Sequence, residues 1–127
     1  MGSEMCIRDS TNGKLWFGSL DGGLIIYEND RFIYAEENDG LNNNMVSCFY
    51  QDENGLIWIG SFRGSTVTLY NGKTFQSAPF DPENKLVELR FISADKEGNI
   101  WFGGRYGLLW RYDGTALKDF TELKKEG

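Results

Sequence analysis

The sequence predicts an all-β fold of short antiparallel strands, and three observations support this. Sixteen glycines and 15% aromatic residues, with only two prolines, suit many short strands joined by tight turns. The pair Asn71-Gly72 between two apolar runs is a strong hairpin signal. A block of about 42 residues also recurs along the chain, which indicates repeated structural units rather than one irregular domain.

The repeat is marked by a tryptophan within an apolar segment flanked by glycines. A tyrosine that precedes a turn keeps the same spacing, and an Asp-x-x-Gly turn precedes the tryptophan in the second and third copies. The aspartates, Asp52 and Asp95, recur at equivalent positions, which is typical of turn-capping residues; the first copy has Ser10 there. The markers are Trp16, Trp58 and Trp101, spaced 42 and 43 residues apart, and Tyr27, Tyr70 and Tyr112, spaced 43 and 42.

A period of 42–43 residues matches one four-stranded blade of a β-propeller. Strand B of the second copy, residues 56–61, is apolar on both faces, as expected if a neighbouring blade covers each face. We therefore predict a partial β-propeller with about two complete four-stranded antiparallel blades plus three strands of another, eleven strands in all. The predicted repeats span about residues 11–44, 45–86 and 87–121, and the predicted strands of the second copy span 46–51, 56–61, 66–70 and 74–78.

The first ten residues, MGSEMCIRDS, do not resemble the repeats. We interpret residues 1–10 as a non-native segment read through from a sequencing adapter, which makes the chain a metagenomic fragment whose propeller part is residues 11–127. An open stack of blades leaves apolar faces in water. We therefore expect the chain alone to be unstable or to aggregate.

The repeat closely resembles the two-component regulator propeller repeat. The resemblance rests on Asp-x-x-Gly-x-[Leu/Ile]-Trp-[Ile/Phe]-Gly, on the Tyr-[Asn/Asp]-Gly turn and on the linker Gly40–Val46. It implies a seven-bladed propeller in the periplasmic sensor region of a hybrid histidine kinase, in a family that often senses oligosaccharides. Two loops depart from the family pattern: Gly64-Ser65-Thr66 replaces a Gly-Gly-Leu turn, and residues 81–85 replace a Gly-Leu linker.

Composition argues against several classes of function. The chain has no histidine, the commonest general base and metal ligand, so no catalytic site, cofactor or metal site is predicted. Its net charge of -6 disfavours nucleic acid and anionic membranes as partners. Cys48 lies in an apolar run and is predicted to be a buried small hydrophobic residue, with no disulfide.

Candidate ligand-binding residues lie on the propeller face that carries the B–C turns and the D–A linkers, because those loops are longer and more varied. Aromatic rings stack on sugars, and arginines bind hydroxyls or carboxylates. Arg90 replaces Ser47 in the innermost strand, so it either binds an anionic group in the central channel or pairs with Glu88. The alternative for the turn residues is an ordinary exposed role. The candidates are Phe62, Arg63, Arg90, Arg105 and Tyr106.

The leading function is a non-catalytic sensor propeller that binds an oligosaccharide or related small molecule. Its other partners are the remaining blades of the same propeller, and the resemblance implies a periplasmic or extracellular location. The alternatives are a docking module of a secreted or cell-surface protein and, with less support, a propeller lyase. Because fold does not fix function, the choice of a sensor depends on the resemblance.

Overall fold

The computed structural model describes residues 5–9, 15–19, 23–35, 46–61 and 66–121. These residues form twelve strands in three four-stranded antiparallel sheets, each with its strands in chain order. We call the sheets blade 1 (β1–β4), blade 2 (β5–β8) and blade 3 (β9–β12). The strands are β1 Met5–Asp9, β2 Leu15–Ser19, β3 Gly23–Glu28, β4 Arg31–Ala35, β5 Val46–Gln51, β6 Ile57–Ser61, β7 Thr68–Tyr70, β8 Phe75–Ser77, β9 Leu89–Ala94, β10 Ile100–Gly104, β11 Leu109–Tyr112 and β12 Leu117–Asp119.

The blades pack side by side around their first strands. Strand β5 contacts both β1 and β9, so the first strand of each blade lies innermost. This arrangement confirms the predicted all-β, partial propeller. The strand bounds in blade 2 differ from the predicted ones by two residues at most.

The first blade has one strand more than predicted. Residues 5–9 pair with β2 in continuous register, from Met5 opposite Ser19 to Asp9 opposite Leu15. Strand pairing uses main-chain groups, so a segment without the repeat's side-chain pattern can still complete a sheet edge. The three strands predicted for this blade are present as β2, β3 and β4, and β1 is an additional strand in the segment that the repeat does not cover. The adapter origin of residues 1–10 stays a prediction.

Two apolar clusters form the core, one at each interface between blades. All five residues of β6 are buried. Ile57 and Ile59 belong to the cluster shared with blade 1, whereas Trp58 belongs to the cluster shared with blade 3. Both faces of this strand are thus covered, as predicted. Cys48 is free and buried in the second cluster, which confirms its predicted packing role.

Close packing explains the glycine that ends the tryptophan segment. A Cβ atom added at Gly60 would lie 2.8 Å from Cys48 Sγ, and one at Gly18 would lie 2.5 Å from Val46 Cγ1. Both distances are shorter than normal van der Waals contact, so a larger residue would displace the neighbouring inner strand. Gly55 has a different role, because its φ of +86° closes the turn into β6.

The recurring aspartates cap their turns, as predicted, and they also hold the tryptophans. Oδ1 of Asp52 accepts hydrogen bonds from the backbone N–H groups of Asn54 (2.9 Å) and Leu56 (3.0 Å). Its Oδ2 accepts one from Trp58 Nε1 at 3.0 Å. The matching bond from Trp101 Nε1 to Asp95 Oδ2 is 2.9 Å long. Sequence reasoning missed this second role, although the six-residue spacing was visible.

Blade 1 lacks this bond within the described part of the chain. The Nε1 atom of Trp16 is buried there with no hydrogen-bond partner. Six residues earlier, where the other blades have aspartate, the sequence has Ser10. A buried N–H donor without an acceptor lowers stability.

Candidate ligand site

The predicted ligand face is described best at blade 3. The B–C turn of this blade is the single turn of 3-10 helix at Arg105–Gly107, between β10 and β11. The backbone N–H of Arg105 donates to the carbonyl oxygen of Glu88 at 3.1 Å, which joins this turn to the D–A linker. The prediction that these two loops share one face therefore agrees with the structure. Two of the candidates, Phe62 and Arg63, lie outside the described residues.

Two residues of this region have left-handed backbone conformations. Tyr106 has a φ of 60° and Glu88 has a φ of 53°. Such conformations cost side-chain-bearing residues free energy and cluster at functional sites. Tyr106 is 76% exposed, and the Arg105 guanidinium carbon lies 4.8 Å from its ring centroid. The turn thus presents a cation and an aromatic ring together to solvent.

Arg90 lies on a β-bulge of the innermost strand. Gly103 pairs with Phe91 and Gly104 pairs with Leu89, so the register passes over Arg90. Bulges bend a strand and redirect the extra side chain, and they are frequent next to binding sites. The Arg90 side chain at this bulge is exposed.

Ser47, which the sequence repeat aligns with Arg90, lies on the equivalent bulge of blade 2. Val46 pairs with Ser61 and Cys48 pairs with Gly60, which passes over Ser47. The Ser47 hydroxyl donates to the carbonyl oxygen of Leu89 at 2.6 Å, so this bulge links two inner strands. In blade 3 the same position carries a longer, cationic side chain.

A cavity of about 730 Å³ adjoins these residues. Arg90 lines it directly, and Gly104 and Gly107 bring the B–C turn to its wall. The remaining lining is apolar and aromatic: Phe91, Trp101, Leu108, Leu109 and Phe120. Arginine beside aromatic rings suits a ligand with both a ring face and an anionic or hydroxyl group. The structure thus places Arg90, Arg105 and Tyr106 in one region.

The two loop departures of blade 2 compensate for each other. Asp81 is 2% exposed and accepts a hydrogen bond from the Thr66 hydroxyl. Its carboxylate also accepts bonds from the backbone N–H groups of Lys85 (2.8 Å) and Leu86 (2.9 Å). A buried carboxylate needs such donors. Sequence reasoning noted both departures from the family pattern but did not connect them.

The opposite end of blades 2 and 3 is acidic. A cavity of about 350 Å³ is lined there by Asp52, Asp95 and Asp113 among others. The Trp101 indole N–H, followed by the Asn99 side chain, lowers the pKa of Asp95 from 3.8 to about 2. The backbone N–H groups of Ala116 and Thr115 lower the pKa of Asp113. Both carboxylates are ionised at neutral pH, so this end disfavours anionic ligands.

No metal-ligand cluster of three or more histidine, cysteine, aspartate or glutamate residues occurs in the described ranges. Nor do those ranges contain a helix long and apolar enough to cross a membrane.

Solved structures with a similar fold include two kinds of protein. The extracellular domain of a protein described as a one-component system from B. thetaiotaomicron has a TM-score of 0.73 at 16% identity over 90% of this chain. The extracellular domain of a protein described as a hybrid two-component system from the same organism has a TM-score of 0.70 at 21% identity over 89% of this chain. Virginiamycin B lyase from Staphylococcus aureus has a TM-score of 0.70 at 15% identity over 93% of this chain.

The chain spans a small part of these proteins. It covers 17% of each B. thetaiotaomicron chain and 40% of the lyase chain. No curated protein matches the sequence. The family model described as "Two component regulator propeller" matches residues 40–63, which include β5, β6 and the turn that Asp52 caps. This match confirms the predicted resemblance. Residues 40–63 of this chain are therefore similar to a two-component regulator propeller repeat, and the solved structures show a propeller fold for the rest of the described chain.

Proposed function

We propose that the chain is part of a ligand-sensing propeller of a two-component sensor and that it binds an oligosaccharide or related small molecule without catalysis. The observation that carries the proposal is the grouping of Arg90, Arg105 and Tyr106 beside an aromatic cavity on the face with the longer loops. A ligand that binds one arrangement of these loops more tightly than another shifts the equilibrium between the two arrangements. Such a shift is the physical basis of sensing.

The family supports the sensing role, and two B. thetaiotaomicron structures of the same fold are extracellular domains. We propose the same kind of location for this propeller, in the periplasm or outside the cell. The oligosaccharide is suggested by chemistry, because exposed aromatic rings stack on sugar faces and arginine binds hydroxyl and carboxylate oxygens. The other blades of the propeller would complete the ligand face.

Fold similarity to a lyase makes catalysis the second candidate. One solved form of virginiamycin B lyase was made catalytically inactive by replacing a histidine with alanine. This chain contains no histidine, and the arginine and tyrosine residues at the candidate site suit the binding of a ligand through charge and ring stacking. A docking module of a secreted protein would use the same face, so ligand size distinguishes it from the sensor.

Binding can be tested by isothermal titration of the full chain with tetragalacturonate and with neutral cellotetraose. We expect at least one probe to bind, and Arg90→Ala, Arg105→Ala and Tyr106→Ala each to weaken that binding by tenfold or more. Arg31→Ala is the matched control, because Arg31 is an exposed arginine in the hairpin of β3 and β4, away from the site. Equal losses in all four variants, or binding of neither probe, would contradict the proposed site.

A further inference from the structure

The outermost strand of blade 1, β4, differs from the outermost strands of the other two blades. Strand β4 has five residues, whereas β8 and β12 have three each. The strand pairings also align two hydrophobic residues of β4, Ile33 and Tyr34, with polar or charged residues of the other blades. These counterparts are Gln76 and Ser77 in β8, and Lys118 and Asp119 in β12. Blade 1 therefore presents a longer and more apolar edge than blades 2 and 3.

The exposure of this edge does not come from a missing neighbour. Ile33 lies opposite Ile26, so its side chain is on the face of blade 1 that packs against blade 2. Ile33 is nevertheless 37% exposed. In blade 2, which has a neighbouring blade on each side, the equivalent residues Gln76 and Ser77 are also exposed. The rim of a blade therefore stays in contact with solvent when both of its faces are covered.

The turn before β4 determines which of its backbone groups face β3. Asn29 and Asp30 have φ angles of 51° and 62°, as in a two-residue type I′ hairpin turn. A β-turn of this kind closes with a hydrogen bond between the residues that flank it, here Glu28 and Arg31. Arg31 therefore directs its backbone N–H group towards β3.

The directions of the remaining backbone groups of β4 follow from the antiparallel ladder, in which hydrogen-bonded and non-hydrogen-bonded pairs alternate. Ile33, two residues after Arg31, also directs its backbone groups towards β3. Phe32 and Tyr34 direct theirs to the opposite side. Strand β4 is the last strand of its sheet, so these groups have no strand partner within the described part of the chain. A row of such groups is a template for pairing with another strand.

We propose that β4 pairs in antiparallel register with β4 of a second copy, so that two propellers associate edge to edge about a two-fold axis. The register is centred on Ile33, which lies opposite Ile33 of the second copy. Phe32 then lies opposite Tyr34 of the second copy, and the symmetry repeats this pair. Because both residues direct their backbone groups outward, they exchange hydrogen bonds. A shift of two residues in either direction would pair one of them with a residue outside β4.

The side chains of β4 are compatible with this self-pairing. Opposed aromatic residues stabilise an antiparallel pair, and opposed like charges destabilise it. Arg31, the one charged residue of β4, lies opposite Ala35 of the second copy and not opposite another arginine. The same register in β8 would place Phe75 opposite Ser77, which forms no aromatic pair. In β12 it would place Lys118 opposite Lys118, and lysine is a common means of blocking edge pairing.

This edge contact does not depend on the proposed ligand site. Strand β4 lies at the rim of blade 1, whereas the ligand cavity adjoins blade 3. The outer faces of blades 1 and 3 stay free to pack against further blades of the propeller. A contact of one short strand per copy is small, so we expect a dimer that dissociates on dilution.

Sedimentation equilibrium of the full chain over a range of concentrations tests the proposal. We expect a reversible equilibrium between the 14.5 kDa chain and a species of twice that mass. Ile33→Lys should raise the dissociation constant at least tenfold, because the substituted side chains would oppose each other as like charges. Blade 1 should tolerate this change, since blade 3 has Lys118 at the equivalent position. Gln76→Lys is the matched control at the equivalent position of β8, and it should leave the dissociation constant unchanged.

The two lysine substitutions separate edge pairing from association through the outer blade faces. A dimer weakened by Ile33→Lys alone supports the proposal. A monomeric wild type would overturn it, and so would equal dissociation constants for Ile33→Lys and Gln76→Lys. Circular dichroism and urea unfolding verify that both variants fold.

A disulfide across the two-fold axis gives a second test that does not require weakened association. Opposed side chains at a non-hydrogen-bonded pair lie close together, so Ile33→Cys should form a covalent dimer on mild oxidation. All variants carry Cys6→Ser, and Cys48 can stay because it is buried. Phe32→Cys and Gln76→Cys are the controls, since the proposed register places neither residue opposite itself. Covalent dimer formation by Ile33→Cys that is no faster than by the controls would refute the predicted register.

Discussion

Replacing Ser10 with aspartate should stabilise the protein by restoring a hydrogen bond that blades 2 and 3 possess. Trp58 and Trp101 each donate from Nε1 to an aspartate six residues earlier, at 3.0 and 2.9 Å. Trp16 is 4% exposed, and its Nε1 has no partner in the described part of the chain. Position 10 is the sixth residue before Trp16, so Ser10→Asp places a carboxylate where the repeat has one.

The expected gain is about 1–3 kcal/mol in the free energy of unfolding, the usual cost of a buried donor left without an acceptor. Urea unfolding monitored by tryptophan fluorescence measures it. With a urea m-value of about 1–3 kcal/mol/M, the midpoint should rise by roughly 1 M. Protein concentration must be equal in all samples, because self-association makes apparent stability depend on concentration.

The control is the same substitution in a Trp16→Phe background. Phenylalanine keeps a ring near Phe49 and Tyr70, which lie 6.3 and 5.8 Å from the Trp16 ring, but removes the N–H donor. The gain from Ser10→Asp should then fall to the contribution of turn capping alone. If Ser10→Asp gives no gain, or the full gain persists without the indole N–H, the explanation by the missing acceptor is wrong.

Three further predictions follow from the described contacts. The folded-state pKa of Asp95 is lowered from 3.8 to about 2, so its contribution to stability is present above about pH 4 and is lost as pH falls toward 2. Trp101→Phe should raise this pKa in an NMR titration, because the indole N–H is the main cause of the shift. An unchanged titration midpoint of Asp95 would refute that cause. Thr66→Val and Asp81→Asn should each destabilise the protein by about 1–3 kcal/mol in urea unfolding, and additive effects in the double variant would show that the two side chains are not coupled. Gly60→Ala should cost about 1–3 kcal/mol, since its Cβ would stand 2.8 Å from a buried sulfur atom, and a wild-type urea midpoint would contradict the close packing.

Most of the fold could be predicted from the sequence because a repeat imposes the same local physics three times. The spacing of Trp58 and Trp101 located β6 and β10, and the apolar run of β6 indicated a strand buried on both faces. Strand β1 could not be found this way. Strand β1 pairs with β2 through main-chain groups at the edge of the sheet. Main-chain pairing requires no particular side-chain pattern, so the sequence does not indicate it.

The sequence predicted which residues form the candidate site and on which face of the propeller they lie, but it did not predict their arrangement in space. Arg90, Arg105 and Tyr106 were named from their loop positions, and Phe62 and Arg63 remain predictions outside the described residues. The bulge at Arg90 and the left-handed φ of Tyr106 appear only in the structure. The bulge and the left-handed φ both depend on how neighbouring strands and loops pack, and the sequence of a single strand does not determine that packing.

The sequence by itself determined the blade, its period and the turns, because those depend on interactions within about 40 residues. Only the tertiary structure decided which apolar faces pack together and which distant polar groups meet. Thr66 and Asp81 pair across 15 residues, and the Trp16 indole lacks an acceptor in the described region. Hydrogen-bond satisfaction in a buried interface depends on three-dimensional proximity, and it is therefore decided when the blades pack.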